Sequence, residues 1–415
     1  MKIKAVIPSF KEIEIDVPKN TRLVDLKKKL CRKIGIEPDL TKLLLKGNVL
    51  DEEKRVGNSF KELSKLEIDY LWSRQLIMWG IKGQKRIRNS TVFIAGAGAL
   101  GNEVAKNLAM LGIKRLIIVD NDKVELSNIN RMIFFERNDV GRSKAKVLAE
   151  KVNKRFPYVE VWASEQTLED ILPRYYLKSD LIMSCLDNIL SRIFLTVTSR
   201  KYCIPLIDSG ISGNQARVQT YIPSSDSCPI CPFSIDRYGQ FIGLKNPCDA
   251  PLEEIKIPSY PTTISLASSI QTQEAIKILI GHDDFKEKKE WSKELGRPLE
   301  GIWLADLSYN KYSIITVKKN KNCIVCGKNG VGKDIVQICV FSIGKSKNKT
   351  TELIKNIEKF STEKLDEISI SNQTGELKKI VKNRELSEYG IIKGESMQAI
   401  LKSGDEYKEI IIKII

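Results

Sequence analysis

The sequence predicts an α/β protein: a doubly wound parallel sheet with helices on both faces, flanked at each end by a small β-grasp fold. Residues 73–332 alternate short, continuously apolar runs with amphipathic stretches, the pattern of strands buried on both faces and the helices that cover them. Residues 1–72 order two strands, a helix and further short strands. Residues 333–415 again set a helix among strands, so that each end can lay one helix across one sheet.

In chain order, KIKAVI and EIEIDV alternate apolar and polar side chains as half-buried strands do. A helix follows from about Leu23 to Ile34, with the Thr21 hydroxyl placed to cap it, and KLLLKG and KLEIDYL return as strands. In the middle block, TVFIAG (91–96) and RLIIVD (115–120) are strands joined by the helix GNEVAKNLAMLG; DLIMSCLD (180–187) and IPLIDSG (204–210) continue the series. The last block holds the strand IVQICVF, the helix TTELIKNIEKF, and the closing runs MQAILKS and EIIIKII. Its segment ELSEYGIIKGESMQAIL (385–401) repeats the order of FKELSKLEIDYL (60–71), a polar turn before a closing strand, which suggests a second grasp fold.

Composition narrows the function. The chain has 415 residues, 42% apolar and 29% charged, enough for two or three ordered domains. No apolar run approaches the roughly 20 residues of a membrane span, and the alternating start MKIKAVIPSFKEIEI reads as a strand rather than a signal peptide. The expectation is a cytoplasmic protein with no membrane role. Basic residues outnumber acidic ones 68 to 52, yet the signs are mixed: residues 1–71 hold 16 and 12, residues 330–415 hold 15 and 13. That favours a solvated surface over an acidic protein partner, and either over nucleic acid. Nine cysteines without a secretory signal argue against a disulfide framework. His282, the one histidine, stands in the polar stretch GHDD, expected as a loop after a helix, so no mechanism built on a Ser–His or Cys–His couple is favoured.

The chemistry begins at Gly96-Ala97-Gly98-Ala99-Leu100-Gly101, between a strand and a helix. Glycines permit a tight turn and close backbone approach to phosphate, while the helix N-terminus offers N–H groups and the positive end of its dipole. Asp120, at the end of the next strand, is placed to accept hydrogen bonds from a ribose. This much fits an NAD-dependent dehydrogenase as well as a nucleotide-dependent ligase. DNDKVELSNINR (120–131) and DVGRSKA (139–145) then add Asn128, Arg131 and Lys144 beyond the sheet edge. An oxidoreductase has no need of them, whereas an enzyme expelling pyrophosphate must neutralise phosphate charge in place. Asp187, in SCLDN, can hold the magnesium (Mg2+) that accompanies those phosphates.

From Arg74-Gln75 through GAGALG, IVDNDKVELSNINR, DVGRSKA and CLDN, the chain resembles the adenylation domain of ubiquitin-like-modifier-activating enzymes, which the molybdopterin- and thiamine-biosynthesis adenylating enzymes share. The resemblance covers residues 73 to about 330 and implies a Rossmann-like adenylation domain using ATP. It implies that Asp120 binds the ribose, that Asn128, Arg131 and Lys144 contact the triphosphate, and that Asp187 serves the metal. It further implies a homodimer, in which Arg74 reaches the phosphates of the neighbouring subunit's site.

Two CxxC pairs, Cys228/Cys231 and Cys323/Cys326, with 91 residues between them, supply four soft ligands. A tetrahedral zinc (Zn2+) held by all four would be structural, since no position is left for water; the resembled family carries such a zinc. Cys248 stands in KNPCDAPLEEIKIPSYPTT, a polar, proline-rich segment ahead of a helix, where a thiol can react as the thiolate. In the resembled family the catalytic cysteine also follows the first zinc pair and precedes a Pro-Thr-Thr run, here Pro261-Thr262-Thr263, although the intervening stretch is longer here. Cys185 and Cys203 fall in apolar strand patterns and are expected in the core; Cys31 and Cys339 are given no catalytic role.

Residues 1–72 resemble ubiquitin in layout, notably GIEPDLTKLLLKGNVLDEE (35–53), but run on through YLWSRQ without a Gly-Gly end. The C-terminal block resembles the ubiquitin-fold domain with which activating enzymes recruit a conjugating enzyme. The expected activity is therefore adenylation of a ubiquitin-like protein ending in Gly-Gly, thioester formation at Cys248 and transfer to a conjugating enzyme. The alternatives are adenylation of a sulfur-carrier protein and, from another class, a non-catalytic ubiquitin-fold scaffold.

Overall fold

Apolar–polar alternation in the first strands buries one sheet face and leaves the other wet. The computed structural model describes residues 1–7, 11–59, 65–223, 227–233, 258–331, 337–343, 349–361, 365–371, 376–393, 395–404 and 406–414. They form two compact units, Met1–Asn89 with Ile280–Arg297, and Ser90–Leu279 with Pro298–Ile415.

In the first unit, β1 (Lys2–Ile7) and β2 (Lys11–Asp16) pair antiparallel, and α1 (Leu23–Ile34) follows. Then come β3 (Thr41–Leu45), β4 (Asn48–Val49), the one-turn α2 (Val56–Ser59) and β5 (Lys65–Tyr70). The sheet order is β2-β1-β5-β3-β4 with β1 and β5 parallel, a β-grasp. Ile3, Ala5, Ile13 and Ile15 of the sheet and Leu23, Leu26 and Leu30 of α1 are buried. Thr21 does not cap α1. Arg22 holds the cap position without a side-chain capping bond, and Leu23 N and Val24 N donate instead to the Lys54 and Glu52 carbonyls at 2.9 and 3.0 Å. Main-chain acceptors from a remote turn thus satisfy the helix's first donors. The helix α3 (Ser73–Asn89) breaks at Gly80, whose φ of 64° no β-substituted residue adopts easily.

The second unit opens with β6 (Thr91–Ala95), α4 (Ala99–Leu111), β7 (Arg115–Val119), α5 (Lys144–Arg155), β8 (Glu160–Ser164) and the short α6 (Pro173–Leu177). It continues through β9 (Leu181–Ser184), α7 (Ile189–Lys201), β10 (Leu206–Ser212), β11 (Gln215–Tyr221), the start of α8 (Pro261–Lys288), β12 (Ile302–Asp306) and β13 (Lys311–Ile315). The sheet runs β13-β12-β11-β10-β9-β6-β7-β8; β8, β7, β6, β9 and β10 are parallel and β11 to β13 antiparallel. Every side chain of β6 and β9 is buried, as their unbroken apolar runs require. The chain winds outward from β6 through β7 to β8, then returns to place β9 on the other side of β6. That reversal opens a crevice beyond the C-terminal ends of β6 and β9, where doubly wound sheets bind ligands.

The chain ends in β14 (Gln337–Phe341), α9 (Thr350–Ser361), β15 (Glu367–Ser371), β16 (Leu377–Lys379), β17 (Ser396–Ser403) and β18 (Glu406–Ile414), ordered β14-β18-β17-β15-β16. A 3-10 turn, Leu386–Tyr389, precedes β17; residues 60–64, the turn it was expected to repeat, lie outside the described residues. The closing topology differs. A hairpin through Gly404 (φ 60°) sends β18 back antiparallel to β17, into the sheet position that β1 holds, in parallel, in the first grasp. Leu353, Ile354 and Ile357 of α9 pack on Phe341, Ile370, Ala399, Leu401, Ile410 and Ile412. Ile411, facing the other way, joins the core of the eight-stranded sheet, and Lys178–Glu395 (2.8 Å) and Lys201–Glu409 (2.7 Å) flank that contact.

The stretch expected as a loop at Gly281-His282-Asp283-Asp284 is helical, inside α8. Gly281 is accommodated because the Trp291 ring packs where its Cβ would stand, 2.9 Å from Cε3. Burial, aided by Lys286, pushes the His282 imidazole down to about 4 from 6.5. Between those values the unfolded chain binds a proton that the folded chain refuses, so stability rises with pH from about 4 to 6.5 and is lost as pH falls. The unfolding midpoint of His282→Phe is expected to be flatter than wild type across that window; an unchanged slope would contradict this. Among the described residues, no helix is long and apolar enough to cross a membrane.

Candidate functional site

The glycine loop sits at the reversal between β6 and β9, and each glycine has its own steric reason. Gly96 adopts φ 96°, and a Cβ there would lie 2.6 Å from the Cys185 carbonyl oxygen at the end of β9. A Cβ on Gly101 would overlap the Gly96 carbonyl oxygen, so that α4 can pack close against the loop. Gly98 has nothing within 4 Å of such an atom and begins α4 without a side-chain cap. The first N–H groups of α4 have no intrahelical acceptor, an anion-binding arrangement.

The loop is held from both directions. Asp120, after β7, accepts Ala97 N at 2.6 Å and Asp122 N at 2.8 Å; burial pushes its carboxyl up although both bonds favour the anion. Asn102, fully buried on α4 and not singled out from the sequence, donates to the Ala97 and Gly98 carbonyls at 2.8 and 3.1 Å. Its Oδ1 accepts Phe134 N at 3.2 Å. A polar residue on an otherwise apolar helix face was the available signal. Lys144, at the start of α5, pairs with Asp122 at 2.8 Å, so hydrogen bonds connect the loop, Asp120, Asp122 and Lys144.

Asn128 and Arg131 share one turn of the crossover after β7. Buried Asn128 accepts Glu125 N through Oδ1 at 3.0 Å, and the Arg131 guanidinium donates to the Ser127 carbonyl and to Asn130 Oδ1. Asp187 is exposed in the turn between β9 and α7. Arg74 is exposed on the first turn of α3, in the other compact unit. Cys248 lies outside the described residues; Gly213 N donates to the Pro258 carbonyl at 2.8 Å and Tyr260 Oη to Asn214 Oδ1.

The two CxxC pairs converge. Cys228, Cys231, Cys323 and Cys326 are buried, with Sγ separations of 3.8 Å (228–231), 3.6 Å (228–323) and 3.3 Å (231–326), and all four sulfurs within 4.8 Å of one another. A tetrahedron of sulfurs each about 2.3 Å from zinc has edges of about 3.8 Å, so the four thiols fit the ion. Asn320 N and Val325 N donate to the Cys231 and Cys323 sulfurs at 3.5 Å, as they would to thiolates. Hydrogen bonding among the four thiols lowers Cys323 and Cys326 below the usual thiol value and raises Cys228 and Cys231 above it. By contrast, burial pushes the Cys185 thiol up to about 12, consistent with an inert core residue. Cys203 is half-buried in a turn after α7 rather than in a strand.

The ThiF family model matches residues 72–325, and the ubiquitin family model residues 2–68. The NEDD8-activating enzyme E1 catalytic subunit of Saccharomyces cerevisiae is 42% identical over 154 residues, covering 35% of this chain and 51% of that protein. The SAMP-activating enzyme E1 of Haloferax volcanii is 29% identical over 286 residues, 66% of this chain and 95% of that protein. Adenylyltransferase and sulfurtransferase MOCS3-1 of Zea mays is 26% identical over 294 residues, 67% of this chain and 56% of that protein. The chain thus spans about half the length of the first and last of these relatives. Among solved structures, E. coli MccB with ATP aligns over 62% of this chain and 75% of that chain, at a TM-score of 0.50 and 21% identity, a likeness of fold. With more than half its length matched and its sheet wound about a glycine loop, this chain belongs to the ThiF family and carries a ubiquitin-like domain ahead of the family's adenylation domain.

Proposed function

We propose that the protein uses ATP to activate the C-terminal glycine of a ubiquitin-like protein ending in Gly-Gly and passes it, as a thioester, to a conjugating enzyme. The observation that carries this reading is the crevice itself: the uncapped N-terminus of α4, Asp120 and the Asp187 turn meet where the sheet reverses. N–H groups of α4 hold phosphate, Asp120 the ribose, and Asn128, Arg131 and Lys144 the remaining phosphate charge. For this, Lys144 gives up Asp122 and Arg131 gives up its own turn. Asp187 would hold magnesium, which would neutralise charge on the departing pyrophosphate.

A glycine carboxylate oxygen attacks the α-phosphorus of ATP. The bond from that phosphorus to the bridging oxygen breaks, and pyrophosphate leaves with the electron pair. The Cys248 thiolate then attacks the carbonyl carbon of the mixed anhydride; a C–S bond forms and AMP departs. Zinc held by the four cysteines would be structural. Exposed Tyr309, Tyr312, Ile314 and Ile315 along the β12–β13 edge offer an apolar surface to the modifier. Leu71, Ile77 and Met78, exposed around Arg74, suit a segment that covers a second copy in a homodimer. Similarity to SAMP-activating and NEDD8-activating enzymes supports the conjugation reading; similarity to MOCS3-1 supports activation of a sulfur carrier instead.

The test is incubation with ATP, magnesium and candidate Gly-Gly proteins. A thiol-sensitive adduct is expected, and Cys248→Ala should abolish it while ATP–pyrophosphate exchange persists. With sulfide added as sulfur donor, full thiocarboxylate formation by Cys248→Ala (AMP leaving as sulfide attacks the adenylate), with no transfer to a conjugating enzyme, would establish the sulfur-carrier reading. No exchange with any modifier would leave the scaffold.

A further inference from the structure

A buried ion cluster lies directly beneath the Asp187 turn. Asp208 of β10, 1% exposed, takes two guanidiniums: Arg192 of α7 binds Oδ1, and Arg217 of β11 binds Oδ2 at 2.7 Å. Ser184 Oγ, at the end of β9, also donates to Oδ1, at 2.7 Å. Burial would raise the Asp208 carboxyl, but the two arginines hold it below the usual range and keep it ionised. A buried ion cluster of this kind is a poor device for stability, since apolar residues of similar volume commonly do as well or better. Its location supplies another reason for it.

The two arginines differ in one respect. The second arm of Arg192 donates to the Leu186 carbonyl, one residue before Asp187, while Arg217 donates to Asp208. Gln271 of α8 fixes the same stretch from above, donating to the Ser184 and Ile207 carbonyls at 3.1 and 3.0 Å. Cys185 N donates to the Ala95 carbonyl at 2.9 Å, and the Cys185 carbonyl is the atom that Gly96 must avoid. The run Ser184–Leu186 is therefore tied on every side, and its continuation is the exposed carboxylate.

We infer that Arg192, oriented by Asp208, is a positioning residue that sets the Asp187 turn at the distance from the glycine loop needed to hold magnesium on bound ATP. This rests on the functional reading above. Groups that orient a metal-binding carboxylate typically change metal affinity 10–100-fold when removed.

The test follows equilibrium binding of ATP to the full chain, by calorimetry, at increasing magnesium and in EDTA. Arg192→Lys keeps a charge on Asp208 without the second arm. It should raise the magnesium needed for half-maximal enhancement of binding about tenfold, with binding in EDTA unchanged. Arg217→Met, which removes a partner of Asp208 but not the Leu186 anchor, should shift it less than about twofold, even if its unfolding midpoint drops further. Equal shifts in the two variants, or equal losses with and without magnesium, would reduce the cluster to a purely structural one and overturn the inference. Magnesium-enhanced binding in wild type with no effect in Arg192→Lys would overturn it alone. A wild-type chain whose ATP binding ignores magnesium would overturn the functional reading with it.

Discussion

Cys323→Ser is expected to release one zinc per chain and to lower the unfolding midpoint by roughly 10–20 °C. The four cysteines are not an appendage. They belong to the same buried cluster as Ile230 and Val325, which pack with Tyr202, Leu206 and Tyr221 on one side of the central sheet. Structural zinc can contribute on the order of 10 kcal/mol to folding. Losing about half of that, at about 2–4 °C per kcal/mol for a domain of this size, gives the stated shift. A serine hydroxyl is a poor zinc ligand at neutral pH, and three thiolates left buried without a fourth partner carry uncompensated charge. Calorimetry together with native mass spectrometry checks both halves. A chain that holds no zinc, and whose midpoint moves by less than about 3 °C in Cys323→Ser, contradicts the assignment.

The second large effect separates two glycines of one loop. Gly101→Ala should destabilise the protein by roughly 3 kcal/mol or more, because its Cβ meets the Gly96 carbonyl and the backbone there cannot yield. Gly96 N is bonded to the Val119 carbonyl at 2.8 Å, and its other side is closed by the Cys185 carbonyl. Gly98→Ala meets nothing within 4 Å, and its φ of −70° suits any residue, so the fold should stay within about 0.5 kcal/mol of wild type. The added methyl nevertheless sits on the residue that begins α4, where phosphate is proposed to bind, and ATP affinity should fall at least about tenfold. Thermal unfolding and nucleotide binding, measured on both variants, must dissociate in this way. A Gly98→Ala protein that binds ATP normally would place the phosphates elsewhere.

Some expectations failed for reasons that lie outside any local window. Thr21 has the right chemistry for a cap, but the Glu52 and Lys54 carbonyls already satisfy the first donors of α1. The GHDD stretch carries loop-forming residues, yet Trp291 supplies the packing that keeps it helical. The last domain was legible as strands around a helix. The antiparallel return of β18 was not, because pairing direction depends on the hairpin at Gly404 and on which sheet position is left open. Charged residues inside apolar patterns, Asp208 in IPLIDSG and Arg192 on α7, were the readable trace of the cluster beneath Asp187. Their mutual pairing was not readable, since partners on different elements leave no periodicity in the chain.

Residue spacing by itself determined the strand and helix series, the glycine loop at a strand-to-helix turn, and the presence of two dithiol pairs. These follow from nearest-neighbour sterics and from periods of two and 3.6 residues, which are local. Only the tertiary structure decided that two dithiol pairs with 91 residues between them share a space under 5 Å across, and that the loop after β6 abuts the turn after β9. Both depend on the order in which strands enter the sheet, a choice made by burying apolar surface over the whole domain at once.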